Sequence, residues 1–376
     1  TKVHANNEEV FTIYYGILDT SLDSIVENSN ESLDVSALDT TTPTVNSVKK
    51  YYYNQLTTKL AKDTYNLLLS DPNGKKSQLT LDLSNYSHTY TVSSVTSNNV
   101  LNVFSKHLSP YVYDGIMMFI DDNPMIYWWY SPNISFTCSY SGNRVTIKSI
   151  IFKSNINERT KVETFKNKIN TISNSISGSS VYEKAKKIHD YVCKTITYTK
   201  IDGTNIDQTA YGAAINKKSV CEGYAKLFKI LCEKKGLICI VIPGKAGTGT
   251  EKGPHQWCYL YHPSEKKWYA VDPTWDDRKS YGGGIIYNYF LVGSETTVAN
   301  SVKFKQNHVN GHRVYSAQTF TPKAPVLSTN AYEQFKITST VSTKNPTNQN
   351  VKVTLKSNRS LKAVSGWTMA SNKLSI

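Results

Sequence analysis

The stretch SVCEGYAKLFKILCEKKG, residues 219–236, decides how the fold is read. Ser219 followed by Glu222 has capping-box spacing, which makes Ser219 an N-cap and Cys221 the second helical residue. Tyr224, Leu227, Phe228 and Leu231 recur at helical spacing and predict one buried face, and Gly236 supplies a C-terminal stop. A thiol in the first turn of a helix lies among unpaired backbone N–H groups at the positive end of the dipole. Both favour thiolate over thiol, so Cys221 is a candidate nucleophile.

Downstream, HQWCYLYHPSEKKWYAVDPTWDD (255–277) reads as two strands, 255–261 and 267–272, joined by a tight turn at 263–266. A register that sets His255 directly opposite Asp272 points both side chains to one face, with Cβ atoms ~4.5–5.5 Å apart. Cys221, His255 and Asp272 then follow the nucleophile, base and orienter logic of papain-like enzymes. Trp257 shares the His255 face, where it either shields the His–Asp bond from water or simply packs.

The segment TAYGAAINKKSVCEGYAKLFKILCEKKGLICIVIPG (209–244), followed by PHQW, WYAVDPTWDD and YNYFLVGSE (287–295), resembles the catalytic core of the bacterial transglutaminase-like superfamily. The likeness runs over roughly residues 170–320. It implies a papain-like α+β core and thioester chemistry on a triad of Cys221, His255 and Asp272. The implied partner is a protein or peptide substrate that offers glutamine and amine (lysine) groups, with no cofactor. The superfamily includes transglutaminases, peptidases and catalytically inactive relatives, so the fold does not choose the reaction. A cysteine peptidase or amidase with the same triad is the first alternative, and a non-catalytic surface adhesion module the second. Papain-like sites also need a side-chain donor for the oxyanion. Animal transglutaminases use an upstream Trp, but no Trp lies in 130–256, which leaves Tyr198 and Gln208 as candidates.

Four parts are expected along the chain: an acidic extension (1–48), an α+β N-terminal domain (49–165), the core (166–321) and a partial β module (322–376). The extension holds eight acids between residues 3 and 48 and no Lys or Arg, against a formal charge of +14 overall. It is read as a solvated arm with one docked strand at VFTIYYGIL (10–18), or more sharply as a cover for the cleft. A helix is predicted over 49–70, strands at 79–83, 88–92 and 143–152, and helices at 101–108, 162–176 and 180–198. Trp128 and Trp129 either wall a groove or pack the domain on the core. LICIVIP (237–243) reads as a fully buried strand and 285–292 as another. His189, His308 and His312 are assigned structural roles.

Only five of the basic residues are Arg and the lysines are scattered, which argues against nucleic acid and leaves cell-wall polymers as a more fitting anionic partner. Six cysteines are too few for a disulfide scaffold, and no spacing suggests a metal site. No apolar run reaches the ~20 residues of a membrane helix. Val3 and Ala5 fit a signal-peptidase site, and the Ser/Thr/Asn/Lys-rich end (357–376) resembles the start of immunoglobulin-like modules in clostridial surface proteins. Both lead to the expectation of a secreted or cell-surface protein whose signal peptide has been removed.

Overall fold

The structure, a computed structural model, describes residues 42–201, 205–279, 282–298, 301–311 and 321–333, with strands at 8–13, 337–342, 352–357, 368–370 and 373–375. It divides into two units, Thr1–Ala331 and Tyr332–Ile376.

The first unit begins with β1 (Glu8–Ile13), which overlaps the first four residues of the stretch 10–18 expected to dock. The acidic residues 14–41 lie outside the described residues. The helix expected over 49–70 is broken into two single turns, Ser47–Lys50 and Tyr53–Gln55, before α1 (Lys59–Leu69). Tertiary bonds explain the break. The backbone N–H groups of Tyr52 and Tyr53 are bound by the Asp122 carboxylate, and the Tyr52 hydroxyl donates to Val241 O at 2.6 Å. Thr58 then caps α1, accepting from Ala61 N–H.

Next come β2 (Gln78–Asp82), β3 (Thr89–Thr91), α2 (Ser97–His107), α3 (Ser109–Asp122), β4 (Asn133–Ser141) and β5 (Arg144–Lys153). The sheet order is β1-β4-β5-β2, with β3 paired to another part of β5. Helix α3 had no sequence forecast. It is buried almost throughout, so its residues show no polar face from which a helical period could be read. Trp128 and Trp129 are fully buried, and they pack rather than wall a groove.

The core follows: α4 (Val162–Ser175), α5 (Val181–Thr195), β6 (Thr197–Tyr198), β7 (Lys218–Ser219), α6 (Cys221–Lys234), β8 (Ile238–Ala246), β9 (Gly253–His262), β10 (Lys267–Val271), α7 (Pro273–Asp276), β11 (Phe290–Val292), α8 (Phe304–Asn307) and β12 (His308–Asn310). Five antiparallel strands are ordered β11-β10-β9-β8-β12. Strand β8 is apolar on both faces because both are covered. Ile238, Ile240 and Ile242 join Trp257, Tyr259 and Phe304 in one cluster. On the α6 side, the Cys258 thiol of β9 donates to Ala225 O. The strand expected over 285–292 keeps only its last three residues. Before them, the Ile286 and Tyr289 N–H groups turn to the carbonyl and carboxylate of Asp276.

Helix α6 is the centre of this arrangement. Tyr224, Leu227, Phe228 and Leu231 are all fully buried, as the periodicity predicts. Lys226 and Lys229 on the other side are buried too, which the amphipathic pattern does not foretell. Each is neutralised. Lys226 meets Glu222 at 2.7 Å, and Lys229 meets Glu233 at 3.3 Å while donating to the Asp121 and Asp122 carbonyls at the C-terminal end of α3. At the other end Gly236 adopts φ +73° and Leu237 N–H bonds Cys232 O at 2.9 Å, a Schellman stop.

The second unit contains β13 (Ile337–Ser342), β14 (Lys352–Ser357), β15 (Thr368–Ala370) and β16 (Lys373–Ser375), ordered β13-β14-β16-β15 in one antiparallel sheet. Among the described residues there is no second sheet of an immunoglobulin sandwich. No helix among them is long and apolar enough to cross a membrane.

Candidate active site

The start of α6 differs from the capping box expected of it. Val220 is the N-cap, Cys221 is the first helical residue, and no side chain caps the turn. The Ser219 hydroxyl donates instead to the Asp207 carbonyl, while Glu222 reaches Tyr130 and Lys226. The first turn is thereby fastened to the segment 206–209 rather than to itself. Gly223 permits the approach: a Cβ there would stand 1.9 Å from Ser219 Oγ and 2.8 Å from Thr209 O. Gly223→Ala is therefore expected to destabilise the protein by about 1–3 kcal/mol through overpacking. It should also lower the rate of Cys221 alkylation, and thermal melting read beside alkylation checks both.

The β9–β10 hairpin carries the next correction. Val271 pairs with Cys258 and Trp268 with Tyr261, a register two residues away from the one that opposes His255 to Asp272. Asp272 lies just past β10 as N-cap of α7, with Oδ1 accepting from Thr274 and Trp275 N–H. The contact forms all the same, with His255 Nε2 standing 2.7 Å from Asp272 Oδ2. A shift of two preserves the face, and the diagonal is within reach of long side chains. With Nε2 taken by Asp272, the Nδ1 edge is left for Cys221, which lines the same cavity as His255.

Asp272 is fully buried and His255 nearly so. Burial opposes the His255 imidazolium, yet the Asp272 charge and the bonds to Asp272 and Cys221 outweigh it. The pKa is pushed up to about 10. Burial likewise opposes the Asp272 carboxylate, but His255 and His308 hold it well below the usual carboxylate range. The pair therefore favours a charged imidazole beside the thiol.

A cavity of about 180 Å³ opens at Cys221, lined also by Lys200, Asp207, Gln208, Glu222, Gly244, His255 and Gln256 among others. Of the two oxyanion candidates, Gln208 lines it. Its Oε1 is held by the Tyr130 hydroxyl at 2.5 Å and its Nε2 donates to Asn205. Tyr198 is outside the lining, its ring set against Tyr224. Tyr130 also reaches Glu222 at 2.9 Å, so the YWWY segment touches the site through its last residue rather than its tryptophans. Trp257 is fully buried, its ring stacked 6.0 Å from that of His255.

Sequence reading missed the other anchors of α7. Asp276 Oδ2 lies 3.0 Å from His189 Nε2, so this histidine does have an orienter, and Asp277 accepts from the Tyr224 hydroxyl at 2.8 Å. Cys193, beside His189, is buried and donates to Pro273 O. His308, expected to be without a partner, places Nε2 3.1 Å from Asp272 Oδ2. His255, Asp272 and His308 thus offer three ligand atoms within 4.8 Å of one another. Hydrogen bonds account for that spacing, because the carboxylate oxygen sits between two ring N–H donors.

A cysteine at a helix start, an imidazole and a buried carboxylate thus stand together at this cavity. Residues 170–273 match the family model described as the transglutaminase-like superfamily. The kyphoscoliosis peptidase of Mus musculus is 29% identical over 127 residues, covering 29% of this chain and 19% of that protein. The Homo sapiens counterpart is 30% identical over 115 residues, covering 28% and 16%. The chain therefore spans less than a fifth of the length of these relatives. Among solved structures, one described as a TGase is 17% identical with a TM-score of 0.26, covering 34% of this chain and 41% of that one. The periplasmic domain of TgpA from Pseudomonas aeruginosa is 12% identical with a TM-score of 0.26, covering 40% and 72%.

Proposed function

We propose that the first unit is a cysteine acyltransferase of transglutaminase type, with Cys221 as nucleophile, His255 as general base and acid, and Asp272 as orienter. The observation that carries this reading is the Cys221 thiol sharing one cavity with an imidazole whose Nε2 is fixed 2.7 Å from a buried carboxylate. His255 takes the thiol proton, and the sulfur attacks the carboxamide carbon of a glutamine side chain. As the C–N bond breaks, the imidazolium returns the proton to the leaving ammonia and a thioester remains. A primary amine then attacks the thioester, giving its proton to His255, and the new amide leaves as the thiol is restored.

The first-turn N–H groups of α6 and the Gln208 carboxamide are the proposed donors to the oxyanion. The carboxylates of Asp207 and Glu222 at the cavity suit substrates that present N–H groups. With water in place of the amine the same steps make an amidase or a peptidase, the latter being the word in the names of the mammalian relatives. Incubation with a glutamine peptide and a tagged amine separates the two. Ammonia release with amine incorporation supports the transglutaminase reading, whereas hydrolysis with no incorporation would replace it by the peptidase one. Absence of both, with Cys221 unreactive to iodoacetamide, would sink the catalytic reading.

A further inference from the structure

His308 arrives from far along the chain. It opens β12, the edge strand paired with β8, where Ala246 is its direct partner. Its ring is buried in an aromatic box made by Phe304 (stacked at 4.3 Å), Trp275 (4.7 Å), Trp257 (4.9 Å) and Tyr289 (5.5 Å). Inside that box it makes two polar contacts, Nε2 to Asp272 Oδ2 at 3.1 Å and Nδ1 to Asn307 Oδ1 at 2.7 Å. Asn307 in turn lies 3.2 Å from the Tyr289 hydroxyl.

If both neighbours of the ring were acceptors, His308 would have to be an imidazolium. Burial and the nearby His255 charge oppose that, and they lower the His308 pKa against the pull of Asp272. Amide oxygen and nitrogen are told apart only by their partners. Turning the Asn307 amide over resolves the conflict and orders every proton in one direction. The Tyr289 hydroxyl donates to Asn307 Oδ1, Asn307 Nδ2 donates to His308 Nδ1, and His308 Nε2–H donates to Asp272 Oδ2. His255 Nε2–H bonds the same oxygen.

We propose that His308 is a positioning residue for the acyl-transfer site: a neutral second imidazole that, fixed by Asn307 and Tyr289, donates to the Asp272 oxygen used by His255. Two effects follow. The carboxylate is held more firmly in the rotamer that faces His255, since His308 adds a second bond to Oδ2 while the Thr274 and Trp275 N–H groups hold Oδ1. Its charge is also divided between two donors, which limits how strongly it can hold the His255 imidazolium and so keeps that ring able to give its proton to a leaving amine. The inference rests on the triad reading above. Its test therefore includes a measurement that needs no substrate.

The variants are His308→Phe, which keeps a ring in the box but has no donor, and His308→Gln, whose Nε2 reaches about as far as that of an imidazole. With 15N-labelled histidine, NMR of the wild-type protein should show His308 neutral with its proton on Nε2. In His308→Phe the His255 titration midpoint should rise by about one unit, because Asp272 then serves a single imidazole. In His308→Gln it should stay near the wild-type value. In acyl transfer, kcat should fall roughly ten- to a hundredfold for His308→Phe with KM little changed, and recover largely in His308→Gln.

A His308 proton on Nδ1, or a His255 midpoint that does not move in His308→Phe, overturns the proposal. If the phenylalanine variant does not fold, a glutamine variant with an altered His255 midpoint does the same. Should the NMR signatures appear while no variant or wild type transfers acyl groups, the coupling stands and the acyltransferase reading fails instead.

Discussion

Asp272→Asn is expected to lower turnover about 10⁴-fold with KM little changed. The asparagine keeps Oδ1, which the Thr274 and Trp275 N–H groups hold in place. Where Oδ2 stood it presents an NH2 donor to His255 Nε2 and His308 Nε2, 2.7 Å and 3.1 Å away in the wild type. His255 must then accept at Nε2 and carry its proton on Nδ1, the edge turned to Cys221, where a base is needed. Asp276 and Asp277 cannot take over, since they are committed to His189 and Tyr224.

The same substitution reshapes stability against pH. The Asp272 carboxyl is held below its unfolded value of ~3.9, so its contribution is present above that value and lost as pH falls through the folded pKa. His255 is raised to about 10, so its contribution is full below the unfolded ~6.5 and disappears as pH rises towards that folded value. Denaturant unfolding across this range should give a domed profile for the wild type and a flatter one for Asp272→Asn. An unaltered turnover together with an unaltered profile would remove Asp272 from the site.

Cys221→Ala is expected to reduce acyl transfer on the order of 10⁶-fold, to background, because no other group in the cavity is a nucleophile of comparable strength. The melting temperature should barely move. Cys221 faces the cavity at the first helical position, and alanine is the best helix former. Iodoacetamide gives an independent check. Cys138, Cys193, Cys232, Cys239 and Cys258 are all buried, so wild-type protein should label at Cys221 first and the variant only slowly. Fast labelling at another cysteine, or residual turnover in the variant, would move the nucleophile elsewhere.

Local chemistry was legible where a single element determines it. The helix at 221–234, its glycine stop, the strands around His255 and the buried run at 238–242 follow from period, turn residues and composition. The parity of the hairpin was enough to bring His255 and Asp272 to one face, although the register itself was two residues off. A two-residue slip keeps every side chain on its face, so the contact survived the error. The capping box failed for a different reason. Ser219 and Glu222 have the right spacing, but the Asp207 carbonyl and the Tyr130 hydroxyl compete for them from elsewhere in the chain, and Lys226 draws Glu222 from the next turn of the same helix.

What the sequence determined by itself was therefore the helix that opens at Cys221 and the hairpin strands that carry His255 and lead into Asp272. Each is marked by a pattern of neighbours within about a dozen residues. The tertiary structure alone decided the surroundings. It set Tyr130 against Gln208, seated buried Lys229 on the Asp121 and Asp122 carbonyls, and brought His308 onto Asp272 across 36 residues of chain. Such contacts have no local period or spacing. They arise when a sheet edge and a helix end are packed together, where a buried polar group must find whatever partner the fold delivers.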